Sequence, residues 1–367
     1  MKYNILVINP GSTSDDIGYF SDGKPVFTKT IRYSLSDLKE FEGQPSTMQY
    51  DFRKGGVLAA LKENGVALKD LSAVVGRGGL IHPLVGGTYT VNDKMVYDLE
   101  HGVSGDHSCN LGGLIAREIA DMTGIPAFIA DPVIVDELAP VARYSGMPED
   151  PRVSIFHALN HKRVARLAAK KLGKKYEECR FIVAHCGGGI SVASHLNGMI
   201  IDVNNALNGE GPFTPQRSGS VPVWQLVKMC FSGKYTKDDM KLKITGRGGL
   251  VAYTGTSDMV ALEKYILDGT PDPDITVSRE KARECVEAMA YQISKEIGAH
   301  SAVLQGKVDA IVITGGLAHD KVITDYLQNR MGWLAPLMFF PGGDEVRALA
   351  DAAIHALKHP SEIKEYM

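Results

Sequence analysis

One design occurs twice in this chain, and it limits the possible folds more than any other feature. NILVINPGSTSDDIGYF (4–20) is an apolar run, a tip of small polar residues and a second, alternating run; RFIVAHCGGGISVASHLNG (180–198) is built the same way. Such runs on both sides of a short tip predict a β-hairpin. Each hairpin is followed, far downstream, by an apolar strand ending in Gly-Gly: 71–76 before Arg77-Gly78-Gly79, and 308–314 before Gly315-Gly316. Two copies so far apart do not make a solenoid, so the pattern implies two domains of one topology facing each other across a cleft. A chain of 367 residues exceeds one ordinary core, which agrees with two domains.

Helical periodicity fills much of the space between the strands, giving an α/β class. Helices are expected over 56–64, 113–124, 161–173, 278–304 and 346–357, and a short buried strand over 125–130. The polar stretch 34–50 is a poor core former. GMPEDPRVS (146–154) is the expected boundary, placing the domains at 1–150 and 151–344, with the closing segment 345–367 returning to the first.

Composition excludes several classes. A net charge of −3 supplies no basic field for nucleic acid or acidic lipid, and no segment has the apolar length of a membrane span. MKYNILVINPG reads as a strand rather than a signal peptide. Five cysteines without CxxC spacing read as reduced thiols, hence a cytoplasmic protein. His101 and His107 lack a third ligand at zinc spacing.

The tips carry the chemistry. Asn9-Pro10-Gly11-Ser12-Thr13-Ser14 offers backbone amides and hydroxyls, and His185-Cys186-Gly187-Gly188-Gly189 offers amides with no side chains in the way. Either alone is commonly just a turn, whereas two in matching positions suit one nucleotide held between them. There is no GxxxxGK[ST], and no GxGxxG opens a helix, so neither the P-loop nor the dinucleotide device applies.

NPGSTS, GRGG, DHSCNLGG, HCGGGISV, TPQRSG and ITGG, in this order, resemble the acetokinase family of the actin and sugar-kinase superfamily. The short length and GRGGLIHPLVGGTY resemble its butyrate-kinase branch more than its acetate-kinase branch. The resemblance implies two duplicated actin/ribonuclease-H-like domains with mixed five-stranded sheets, and usually a homodimer or larger homo-oligomer. It implies reversible, ATP-dependent phosphorylation of a short-chain fatty acid to an acyl phosphate. Butyrate is the first reading, with isobutyrate, propionate or acetate as alternatives.

Residue by residue, the resemblance assigns Arg77 to the substrate carboxylate, with His107 and Asn110 lining that site, and Arg217 to the moving phosphoryl group. His161 matches a transition-state histidine, with His157 one turn earlier as its competitor. Asn9, Gly11, Ser12 and Ser14 match the first phosphate loop, and His185 with Gly187, Gly188 and Gly189 the second. Gly315, Gly316 and Leu317 match an adenosine site. Asp258 matches a ribose-binding position, against an ordinary helix cap. Asp131 matches a catalytic aspartate, and Asn9, Asp131 and Glu345 would hold Mg²⁺, partly through water. One departure is plain: the family reads Thr-Lys where this chain has Asp15-Asp16. An anion in place of a cation leaves three options: one of the two binds Mg²⁺, the substrate differs, or the chain is a nucleotide-binding sensor or scaffold without efficient transfer.

Overall fold

The structure, a computed structural model, describes residues 2–367. It divides into two compact units: Met1–Asp136 with Ala158–Asn160 and Asp344–Met367, and Glu137–His157 with His161–Gly343. The segment 137–150 therefore counts with the second unit, ahead of the Pro-rich stretch, and the helix Ala158–Lys171 is shared between the two.

In the first unit, β1 (Asn4–Pro10) pairs antiparallel with β2 (Ser14–Ser21), and β2 with β3 (Lys24–Arg32). β4 (Ala73–Arg77) runs parallel to β1, β5 (Thr88–Thr90) is a short strand, and β6 (Ala127–Ala130) runs parallel to β4. The sheet order is β3-β2-β1-β4-β6-β5. This sheet has six strands rather than the expected five, because the three residues of β5 add antiparallel to β6. Alternation divides β1 between two faces. Ile5 and Val7 pack against Leu349, Ala350 and Ala353 of the helix Glu345–Lys358. Leu6 and Ile8, equally buried, face the other way. On that side the helix Asn110–Asp121 approaches β4 so closely that a Cβ on Gly76 would run into the Gly112 carbonyl.

In the second unit, β7 (Arg180–Cys186), β8 (Ile190–Leu196) and β9 (Met199–Val203) form an antiparallel meander. β10 (Ala310–Gly315) lies parallel to β7, and β11 (Leu337–Pro341) parallel to β10, giving the order β11-β10-β7-β8-β9. Read from the other edge, that is the order of the first five strands of the first sheet, so the duplication inferred from the hairpins is present in the topology. Phe181, Val183, Ala310 and Val312 pack with Val164, Ala165 and Ala168 of the helix Ala158–Lys171. Ile182, Ala184, Ile311 and Ile313 face the long helix Arg279–Val303 and the helix Lys321–Met331. Among the described residues, no helix is long and apolar enough to cross a membrane. All five cysteines are free, four of them buried and Cys230 exposed.

Candidate active site

In the first unit, three side chains meet at the ends of β1, β4 and the closing helix. Parallel pairing sets Ile8 beside Gly76, which brings Asn9 and Arg77 to the same sheet end. Arg77 Nη1 donates to Glu345 Oε2 at 2.5 Å and to Asn9 Oδ1 at 3.2 Å, while Asn9 Nδ2 donates to Glu345 Oε2 at 3.1 Å. These partners are up to 336 residues apart in sequence. The hard oxygens of Glu345 and Asn9 fit a Mg²⁺ ion that keeps most of its waters. Asp131 sits in the left-handed region (φ 38°), and its Oδ1 accepts from Gly87 N–H at 2.7 Å while its own N–H donates to the Gly87 carbonyl. Among the described residues, no three His, Cys, Asp or Glu side chains group as a metal site.

The first tip is built by a residue that sequence reasoning missed. Gly11 N–H closes on the Ser14 carbonyl at 2.7 Å, and Arg53 donates to the Gly11 carbonyl at 2.8 Å and the Ser12 carbonyl at 3.1 Å. Arg53 is fully buried and also pairs with Asp15, whose other oxygen accepts from Tyr33 Oη at 2.6 Å. Both carboxylate oxygens of Asp15 are therefore engaged within the fold. Asp16 lies on the opposite face of β2 and accepts from Thr30 Oγ1 at 2.6 Å. The expected helix over 56–64 starts earlier, at Tyr50, which is what brings Arg53 into a helix. Nothing local in YDFRKGG marks that arginine, because its partner lies 38 residues away.

Breaking a buried ion pair from one side leaves an uncompensated charge. Arg53→Met is thus expected to cost about 3–5 kcal/mol, read as a lower Tm. Adding Asp15→Asn should recover most of it. If Arg53→Met alone melts at the unmutated temperature, the pair does not have this role.

His107 Nδ1 accepts from Cys109 N–H at 3.1 Å, so the neutral ring carries its hydrogen on Nε2, which stands 3.3 Å from Ser12 Oγ. Asn110 is held by two loops. Its Oδ1 accepts from Leu80 N–H at 2.8 Å and its Nδ2 donates to the Gly105 carbonyl at 3.0 Å, with the side chain fully buried. It is a latch between two loops.

In the second unit, the tip after β7 turns back with Gly187 N–H on the Gly189 carbonyl at 3.0 Å. Thr214 Oγ1, also unforeseen, donates to the Gly188 carbonyl at 2.8 Å and accepts from Arg217 N–H at 2.9 Å, which ties the arginine loop to the glycine tip. A Cβ on Gly189 would overlap Arg217 Nη1 and stand 3.3 Å from His157 Cε1, so glycine is required for guanidinium and imidazole to converge there. Arg217 donates to the Ala206 carbonyl at 2.5 Å and has no carboxylate partner among the described residues. Burial alone pushes its pKa down.

His157 and His185 stack with ring centroids 3.8 Å apart beside this tip. His161 lies behind them. Its ring is fully buried, with Nε2 2.8 Å from Ser191 Oγ and Nδ1 3.3 Å from His195 Nε2, so the structure presents His157 rather than His161 at the tip. His157, which caps the helix Ala158–Lys171, and His161 in its first turn both bring their rings to Ser191, and sequence reasoning left that hydroxyl unmarked. At the adenosine match, Gly316 is open to close approach, but the Leu317 side chain packs into the core. Asp258 Oδ1 accepts from Val260 and Ala261 N–H, so it caps the helix Met259–Asp268, the plainer of its two readings.

A model described as the acetokinase family matches residues 152–330. The chain is 53% identical over 369 residues to a probable butyrate kinase of Elusimicrobium minutum, covering 100% of both. It is 48% identical over 366 residues to butyrate kinase 2 of Clostridium acetobutylicum, again covering 100% of both. Among solved structures, an acetate kinase of Porphyromonas gingivalis superimposes with a TM-score of 0.75 at 19% identity, covering 97% of this chain and 100% of that one. A propionate kinase of Francisella tularensis superimposes with a TM-score of 0.65 at 18% identity, covering 95% and 98%. At such identities the structural likeness speaks to the fold alone.

Proposed function

The chain belongs to the acetokinase family, and from that premise we propose that it transfers the γ-phosphoryl group of ATP to a short-chain carboxylate, butyrate first, yielding an acyl phosphate and ADP reversibly. The observation that carries the reading is Arg217: a half-buried guanidinium with no acid beside it, fastened to a glycine tip. A cation left uncompensated in a part-dry place is a binding group for an anion.

A carboxylic acid is already ionised at neutral pH, so no general base is needed. One of its oxygens attacks the γ-phosphorus in line, and the bond to the ADP oxygen breaks. The donors of Arg77 not engaged by Glu345 and Asn9 hold the acid, with His107 Nε2–H beside them. Arg217 spreads the charge of the transferring group, and the amides around Gly187, Gly188 and Gly189 hold the phosphates. Gly315 and Gly316 offer backbone to the adenosine. Glu345 and Asn9 would hold Mg²⁺ through its waters, and when bound it neutralises phosphate charge. The sensor reading rested on the two adjacent aspartates, and with Asp15 neutralised by Arg53 nothing specific favours it. The reading places the protein in the cytosol as a homo-oligomer, which light scattering on the purified chain tests for assembly.

Acyl phosphate trapped as hydroxamate, with ATP and acids of two to six carbons, decides the function. Butyrate is expected to give the highest kcat/KM. ATP binding with no hydroxamate from any acid would end the phosphotransferase reading, and a higher value for acetate would end the choice of butyrate.

A further inference from the structure

At the sheet end of the first unit, the guanidinium meant for an acid already carries a carboxylate. Arg77 Nη1 donates to Glu345 Oε2 at 2.5 Å. Asn9 closes a triangle with them: its Oδ1 accepts from the same Nη1 at 3.2 Å, and its Nδ2 donates to the same Oε2 at 3.1 Å. The two charged side chains are 23% and 20% exposed, so water screens their attraction only in part. Both contacts of Arg77 use Nη1, which leaves Nε and Nη2 for a second anion.

An acid arriving there meets no surplus of positive charge. Arg53 and Arg77 are the cations that act on His107, and Asp106 and Glu345 are the anions that act on neighbouring Cys109. Arg53 is neutralised by Asp15, and Arg77 by Glu345. His107, held below its ordinary value first by burial, adds no charge near neutral pH. Asp106 accepts from Ser46 N–H and keeps its negative charge. A second carboxylate on Arg77 is therefore attracted by one guanidinium and repelled by the Glu345 carboxylate bound to that same group.

Glu345 is not needed to keep Arg77 in place. The parallel register of β1 and β4 sets the arginine backbone beside Asn9, and Asn9 Oδ1 holds Nη1. Both contacts of Glu345 use Oε2, which leaves Oε1, a hard oxygen suited to a hydrated divalent cation.

We propose that Glu345 antagonises the acid at Arg77 and that the antagonism is relieved when Glu345 binds a divalent cation, so that carboxylate and Mg²⁺ bind with positive coupling carried by this one side chain. The inference rests on the phosphotransfer reading, which puts the acid on Arg77. Its consequence is an order of capture: the acid alone is held weakly, and firmly once Glu345 is engaged by the metal. Linkage requires the reverse as well, the acid raising the affinity for Mg²⁺ by the same factor.

The test reads binding, because replacing a residue that faces the metal slows turnover under either account. Butyrate labelled with ¹³C at its carboxyl is titrated into the full chain without nucleotide and followed by NMR, in EDTA or in Mg²⁺ at equal ionic strength. In EDTA, Glu345→Gln is expected to bind butyrate about tenfold more tightly than the unmutated chain, since glutamine keeps the shape and drops the charge. Glu345→Ala, the second charge-free variant, should tighten it in the same direction. In the unmutated chain Mg²⁺ is expected to tighten butyrate about fivefold to twentyfold, and in Glu345→Gln about twofold at most. Equal or weaker butyrate binding by both variants in EDTA would make Glu345 a support for Arg77 and overturn the inference. So would a Mg²⁺ effect of the same size in Glu345→Gln, or none in the unmutated chain, the last needing no variant to fold. Those results from a chain that forms acyl phosphate overturn this inference alone. Failure of the unmutated chain to form acyl phosphate from any acid overturns the phosphotransfer reading, and this inference with it.

Discussion

Arg217→Ala is expected to lower kcat for acyl phosphate formation by about a hundredfold to a thousandfold, the effect of removing one preorganised donor worth ~3–4 kcal/mol. The guanidinium is held on both sides of its own loop. Its backbone N–H is on Thr214 Oγ1, which grips the Gly188 carbonyl, and its Nη1 is on the Ala206 carbonyl. In the proposed mechanism it would meet the transferring group without reorganising. Arg217→Lys keeps the charge and loses the planar fork, and should recover only part of the rate. Stability should move the other way. Among the described residues Arg217 has no acid partner, and burial pushes its pKa down, so removing it relieves a desolvation cost. A Tm equal to or above the unmutated value, with kcat collapsed, is the expected pair of results. A kcat within threefold of the unmutated enzyme would remove Arg217 from the mechanism.

Acidification from about pH 6.5 to about pH 5.5 is expected to cost the second unit about 2 kcal/mol, a fall in Tm of roughly 4–8 °C. His161 and His195 are held well below the ordinary value of 6.5 by burial, and His300, whose Nδ1 lies 2.8 Å from Ser194 Oγ, is pushed down to about 4. A depressed histidine binds fewer protons in the native state than in the unfolded chain. Its contribution is thus present above 6.5 and is lost as pH falls toward the folded value. The three together lose about 3 kcal/mol over that unit of pH. Asp320 works in the opposite sense. Burial raises its pKa to about 6, so the native state takes up that proton first and returns roughly 1 kcal/mol. His300→Asn should flatten the net slope by about half. A Tm that holds or rises over this interval would show that the buried imidazoles are not neutral in the folded protein.

Much of the scaffold was legible because strand burial is decided by neighbours in sequence. Alternation in RFIVAHC sends Phe181 and Val183 to one helical layer and Ile182 and Ala184 to the other, and the structure follows it. The same holds for the hairpin at the start of the chain and for the long helix Arg279–Val303. Elements without a local pattern were read poorly. The start of the helix Tyr50–Glu63 is polar, and Thr88–Thr90 is too short to show a period.

The sequence alone determined two strand–tip–strand units, the glycines that clear their tips and the family to which they belong, since each is a matter of residue type at fixed short spacing. Only the tertiary structure decided which polar side chains pair with one another inside the fold. Asp15 pairs with Arg53, Asn110 bridges loops, Asp131 bonds to Gly87 and His161 is sealed behind Ser191, whereas Arg217 has no acid partner among the described residues. The reason is physical: a hydrogen bond or ion pair is chosen by what lies within about 3 Å in space, and for a side chain such as Asn9 that partner is 336 residues away along the chain.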